Sequence, residues 1–175
     1  MALDSVEVAY RIFTRKDALK FASAHMTVFP DGSKEALHGH NYRTELQVDL
    51  VRIDLENMLP FSLFKERLKE ICNQLDEKVL LATKNPHFQL APLSEKSLRF
   101  TLCGRDYLLP REEVELLELD NITTETLAYY VGKSLIERLP EEIFSTIVSA
   151  LTVKVEEMTG QGSSATFRFP DKRKP

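Results

Sequence analysis

The sequence predicts an α+β fold in which an antiparallel sheet carries its helices on one face. Three observations predict it. Apolar and polar residues alternate with period two at both ends of the chain, over 5–13, 40–53, 151–157 and 164–169. Two stretches, 61–75 and 123–139, instead repeat their apolar residues at helical spacing. The strands also come in runs separated by helices, without the strict strand–helix alternation that builds a parallel sheet.

In the first strand Val6, Val8, Tyr10 and Ile12 oppose Glu7, Ala9 and Arg11, which gives one buried face. The charged break Thr14-Arg15-Lys16-Asp17 ends it, and Leu19–His25 resumes extended structure. Residues 40–53 form a long strand, with Leu46, Val48 and Leu50 opposing Glu45, Gln47 and Asp49. Its phase slips near Val51–Ile53, at a bulge or the end of pairing. Pro60 precedes a helix over Phe61–Leu75, striped by Phe61, Phe64, Leu68, Ile71, Cys72 and Leu75. A second helix starts at Thr123, a favourable N-cap, and its stripe is Leu127, Val131, Leu135 and Leu139. Pro140 ends or kinks it, and Glu141–Ser149 continues as a short helix. The last two strands flank a glycine-rich turn, Thr159-Gly160-Gln161-Gly162-Ser163. Between the helices, 79–121 reads as an irregular insertion carrying a small hairpin, Ser97–Leu102 with Asp106–Leu109 around Gly104-Arg105. Neither a repeat nor a second core is visible, so 1–175 is expected to be one domain with a frayed basic tail at 171–175.

Composition narrows the function classes. The chain is 43% hydrophobic and 29% charged, which is ordinary for a globular protein. Its net charge of −4 gives no support to a nucleic-acid or anionic-membrane partner. No apolar run approaches the about 18 residues that span a bilayer, and the first residues lack a signal-peptide core, so a cytoplasmic location is the default. Cys72 and Cys103 form no CxxC pair, and Cys72 reads as a buried free thiol.

The chemistry gathers at His25, His38 and His40, three of only four histidines. A His-x-His pair in a strand projects both imidazoles to one face, and a third from a neighbouring strand completes a facial trio. Three neutral imidazoles suit zinc and leave a fourth position open, as catalytic rather than structural zinc sites do.

Phe21-Ala22-Ser23-Ala24-His25 and His38-Gly39-His40-Asn41-Tyr42 resemble the zinc signature of the 6-pyruvoyltetrahydropterin and 6-carboxytetrahydropterin synthase family. Three later segments resemble it in the right order. Leu75-Asp76-Glu77 stands at its Leu-Asp-His, Ile122-Thr123-Thr124-Glu125-Thr126 at its Pro-Thr-x-Glu-Asn, and Val153-Lys154-Val155-Glu156-Glu157 at its pterin-anchoring strand. The resemblance implies the tunnelling fold, a four-stranded antiparallel sheet with helices on one face that oligomerises into a barrel. It implies a homo-oligomer, usually a hexamer with sites at subunit interfaces, and a pterin substrate, 7,8-dihydroneopterin triphosphate. His25, His38 and His40 would hold Zn2+ against the substrate's side-chain hydroxyls, and a carboxylate would grip the ring. Register selects Glu157 over Glu156 for that carboxylate, because Glu157 shares a strand face with Val153 and Val155 and directly precedes the turn. Thr123, Thr124 and Glu125 are candidate substrate-binding residues, although the helix dipole alone accounts for an acidic residue in a first turn.

Two family features are missing. No cysteine lies in 26–37, and Glu77 replaces the histidine of Leu-Asp-His. Glu35 is the natural substitute base, with Asp76 and Glu77 as further catalytic candidates. A family subgroup with a glutamate there is similar to Lys34-Glu35-Ala36-Leu37-His38, and it cleaves the side chain to give 6-hydroxymethyl-7,8-dihydropterin. The competing readings are a zinc protein that binds pterin or purine without chemistry, and a structural zinc scaffold.

Overall fold

The structure, a computed structural model, describes residues 8–56, 58–91 and 96–170. The expected start of the first strand at 5–7 and the expected basic tail at 171–175 lie outside them. Among these residues the chain forms ten strands and three α-helices, besides a 3-10 turn at Arg111–Glu113. They are β1 (Tyr10–Thr14), β2 (Lys20–His25), β3 (His38–Leu50), α1 (Phe61–Leu75), β4 (Lys78–Ala82), β5 (Phe88–Leu90), β6 (Ser97–Leu102), β7 (Arg105–Pro110), β8 (Val114–Leu117), α2 (Thr124–Glu137), α3 (Ile143–Thr146), β9 (Val148–Met158) and β10 (Gln161–Arg168).

The main sheet runs β10-β9-β3-β2-β4-β8, and β1 pairs with the far half of β3. Four consecutive strands, β10-β9-β3-β2, are antiparallel with α1 and α2 packed on one face, the tunnelling-fold arrangement. β3 is the spine. Its first half pairs with β2 from Lys20↔Arg43 to His25↔His38, and its second half pairs with β1 from Thr14↔Leu46 to Tyr10↔Leu50.

Alternation decides the faces. Tyr42, Thr44, Leu46 and Val48 point inward and are buried, while the intervening Arg43, Glu45, Gln47 and Asp49 lie on the opposite face. From the other side Phe64, Leu68, Ile71 and Leu75 of α1 and Leu127, Val131 and Leu135 of α2 close the core. Thr123 caps α2 reciprocally: its hydroxyl accepts from Thr126 N, and Thr126 Oγ1 accepts from Thr123 N. The helix passes β10 so closely that a Cβ at Gly132 would lie 2.2 Å from the Phe167 ring.

The region 79–121 departs from its reading as an irregular insertion. β4 pairs in parallel with β2 and β8 in parallel with β4, so the sheet extends past its antiparallel strands. Val79-Leu80-Leu81 is a short apolar run, and Val114–Leu117 holds a single Glu115 among apolar residues; both are too short for periodicity to tell from helix. The expected hairpin is present as β6 and β7, and β5 adds a third strand. Beneath it Met26, Val28, Leu81, Leu98, Phe100, Leu102 and Val114 form a second, smaller apolar cluster. The stretch 141–149 is mostly not helical: α3 keeps four residues, and β9 begins at Val148 rather than at 151.

Candidate metal centre

His25 closes β2 and His38 opens β3 directly opposite it, with His40 two residues on. Strand geometry therefore puts all three rings on one face. Ring centroids lie 4.6 Å apart for His25–His38, 5.4 Å for His25–His40 and 4.9 Å for His38–His40. One nitrogen from each comes within 4.8 Å of the others.

Backbone carbonyls orient two of the rings. His25 Nδ1 donates to Ile122 O at 3.2 Å and His38 Nδ1 to Ala36 O at 2.9 Å, which leaves each Nε2 as the nitrogen available to a metal. His25 is 3% exposed, and its Nε2 is buried with no hydrogen-bond partner. A buried polar atom left unpaired is costly, and a metal ion would satisfy it. Burial, then the neighbouring His38 and His40, holds His25 below the usual imidazole range, in the neutral form that ligates. The donor set therefore fits zinc.

A carboxylate stands on each side of the trio. Glu35 Oε2 lies 3.9 Å from His38 Nε2, and Glu157 Oε2 lies 3.8 Å from His40 Nε2. Glu35 is tied to Thr27 by its backbone, N to Thr27 O at 2.9 Å, and by a side-chain hydrogen bond that holds its carboxyl below the ordinary range. Glu157 accepts from Gln161 Nε2 at 2.7 Å. Tyr42 is buried below them, and its phenol is pushed up by burial, with both carboxylates adding to the shift. Glu156 turns to the opposite sheet face, 2% exposed, beside Lys154 and Arg15.

Other candidates stand apart. Asp76 Oδ1 accepts from Ala22 N at 2.7 Å, and Glu77, at φ +57°, donates its N–H to Ala22 O. Glu77 lines a cleft of about 390 Å³ with Asn41, Lys78 and Glu113 that reaches His40. Among the described residues neither acid is hydrogen-bonded or ion-paired to a histidine. Glu125 is exposed and interacts with Thr123, Ser163 and Thr124, while Thr124 Oγ1 meets Ser163 Oγ at 2.8 Å. These three are tied into the start of α2 and its junction with β10.

The sequence reading missed the residues that hold the site. Asn121 Nδ2 donates to Val28 O at 2.8 Å, and its Oδ1 accepts from Val28 N and Ile122 N, both at 3.0 Å. His25 Nδ1 donates to Ile122 O, and Thr27 Oγ1, whose proton serves the Glu35 carboxylate, lies 3.2 Å from the same carbonyl. An Asn two positions before a helix N-cap is a readable signal; a backbone carbonyl and an ordinary Thr are not.

Comparison with known proteins agrees with this geometry. Residues 14–168 match the family described as 6-pyruvoyl tetrahydropterin synthase. A Methanocaldococcus jannaschii protein named "Putative 6-carboxy-5,6,7,8-tetrahydropterin synthase" is 34% identical over 146 residues, 83% of this chain and 88% of that one. A Pyrococcus abyssi protein of the same name is 27% identical, over 79% of this chain and 81% of that one. The solved 6-pyruvoyl tetrahydropterin synthase of Plasmodium vivax superposes with a TM-score of 0.84 at 22% identity, covering 93% of this chain and all of that one. Two further structures of the P. vivax enzyme carry a glutamate, described as a catalytic residue, changed to alanine or to cysteine. The chain belongs to the 6-pyruvoyl tetrahydropterin synthase family.

Proposed function

We propose that the protein is a zinc-dependent lyase that cleaves the side chain of 7,8-dihydroneopterin triphosphate to give 6-hydroxymethyl-7,8-dihydropterin. The observation that carries this reading is the pair of carboxylates flanking the histidines, Glu35 at His38 and Glu157 at His40. Zinc held by His25, His38 and His40 would supply Lewis acidity that makes a side-chain hydroxyl easier to deprotonate.

Glu157 anchors the ring, its carboxylate accepting from the pterin 2-amino group and N3–H. Gln161 fixes that carboxylate in place. Glu35 is the base. Held ionised by Thr27, it takes the proton of the C2′ hydroxyl as the C1′–C2′ bond breaks. The electron pair passes into the pterin ring, C1′ is then protonated, and the remaining two-carbon fragment leaves as an aldehyde bearing the triphosphate. The catalytic glutamate named for the P. vivax enzyme supports this role for Glu35, whereas the names of the archaeal relatives favour a 6-carboxy product. Asp76 and Glu77 are read as serving the site of a neighbouring subunit in a cytoplasmic homo-oligomer, which accounts for their having, among the described residues, no hydrogen bond or ion pair to the histidines of their own chain.

The test is to incubate zinc-loaded protein with 7,8-dihydroneopterin triphosphate and identify the pterin products chromatographically. Formation of 6-hydroxymethyl-7,8-dihydropterin, abolished in Glu35→Gln, is the expected result. A 6-pyruvoyl or 6-carboxy product would replace the cleavage step. Tight binding without product would leave a pterin-binding protein, the reading favoured by the missing cysteine and histidine.

A further inference from the structure

The geometry points to the cleft between the Glu35 loop and the inserted β5–β7 sheet as the seat of the substrate's phosphate chain, with Arg105 and Lys34 as its cations. The inference rests on the pterin reading for its substrate. The cleft has a volume of about 620 Å³, within the range of small-molecule sites. Residues 32–37 form one wall, and Cys103, Arg105 and Tyr107 form the other.

Both walls are anchored. Tyr107 stacks on the fully buried Phe100 at 4.9 Å and 8°, which roots β7 in the smaller core. Lys34 pairs with Val28 in a β-bridge, and its Nζ lies 5.4 Å from the centre of the Tyr107 ring. That ammonium donates to Glu35 O at 2.9 Å and contacts Met26 Sδ at 3.4 Å, so one of its three donors is left for a ligand. Arg105 is exposed, and among the described residues no carboxylate pairs with it.

The order of groups along the surface carries the argument. Glu157 stands beside His40, His38 beside Glu35, and the cleft opens from Glu35 toward Arg105. The proposed substrate has the same order: ring, side-chain hydroxyls, terminal phosphates. With its ring at Glu157 and its hydroxyls at the histidines, its phosphates extend past Glu35 into the cleft. Guanidinium binds phosphate oxygens through paired donors, so Arg105 supplies most of the selectivity. The insertion thereby becomes part of the site.

The experiment compares binding of 7,8-dihydroneopterin triphosphate, 7,8-dihydroneopterin and inorganic tripolyphosphate to zinc-loaded wild type, Arg105→Ala and Arg105→Glu. Lys34 is left intact because it also holds the Glu35 loop. The expected result is about tenfold weaker binding of the triphosphate in Arg105→Ala, and more in Arg105→Glu, with 7,8-dihydroneopterin unchanged. Equal losses for both pterins, or no loss for either, would overturn the assignment. Tripolyphosphate separates the two hypotheses. If neither pterin binds the wild type, the pterin reading fails, yet tripolyphosphate binding lost in Arg105→Glu still supports an anion cleft. Equal tripolyphosphate binding by wild type and Arg105→Glu overturns it.

Discussion

Asn121 shows how a single side chain can brace a histidine cluster it does not touch. Its amide bonds both polar groups of Val28 and also accepts from Ile122 N, so the carbonyl that orients His25 and the segment that carries Thr27 share one anchor. Removing such outer partners of a metal ligand commonly weakens metal binding by about 10–100-fold. Asn121→Ala is expected to lower zinc affinity by at least about tenfold, measured by competition with a chromophoric chelator. Unchanged affinity would deny Asn121 that role. Glu156 makes a separate case on the other sheet face. The Lys154 hydrogen bond, then the charges of Lys154, Arg15 and Arg43, hold its carboxyl below the ordinary value of 4.5 despite burial. The unfolded chain therefore takes up this proton at higher pH than the native one. The stabilisation is complete above the unfolded value and is lost as pH falls through the native value. Urea titrations across the acid range should show a shallower decline below about pH 4.5 in Glu156→Gln than in wild type; parallel declines would refute the pairing.

At the scale of elements, the β9–β10 hairpin places Glu157. The register slips between Gln161 and Gly162, where Met158 and Glu156 are the successive partners. Glu157 is thus left without a partner in the ladder, its side chain toward His40. A Cβ on Gly162 would sit 2.1 Å from Val155 O and 2.7 Å from the Glu156 Cα, both backbone atoms that cannot yield cheaply. Gly162→Ala should cost about 1–3 kcal/mol in chemical denaturation and weaken pterin binding beyond that of a distant variant of equal stability. The helices behave differently. The α1 range was legible to the residue, because its stripe and Pro60 both bound it. β4 and β8 were not legible, because a strand of four or five residues, mostly apolar, carries no periodic signature until a neighbour pairs with it.

For the molecule as a whole, the relation that matters is between the histidines and the Asp76-Glu77 pair. One chain ties that pair to Ala22 rather than to the metal centre. If a neighbouring subunit supplies it, oligomers reassembled from a mixture of Glu35→Gln and Glu77→Gln chains should recover part of the activity that each lacks alone. No recovery would place both residues in one chain's site or leave Glu77 without a role. Through its resemblance to the family the sequence also singled out Glu35 and Glu157; by itself it determined the antiparallel strands, the two long helices and the histidine trio. These are patterns of spacing and alternation that local backbone geometry converts directly into faces. Only the tertiary structure decided what stands behind and beside them: the Ile122 carbonyl on His25, Asn121 beneath it, and an inserted sheet facing the Glu35 loop. Such contacts join residues far apart in the chain, and no local pattern encodes a distance between segments that meet only after the core has closed.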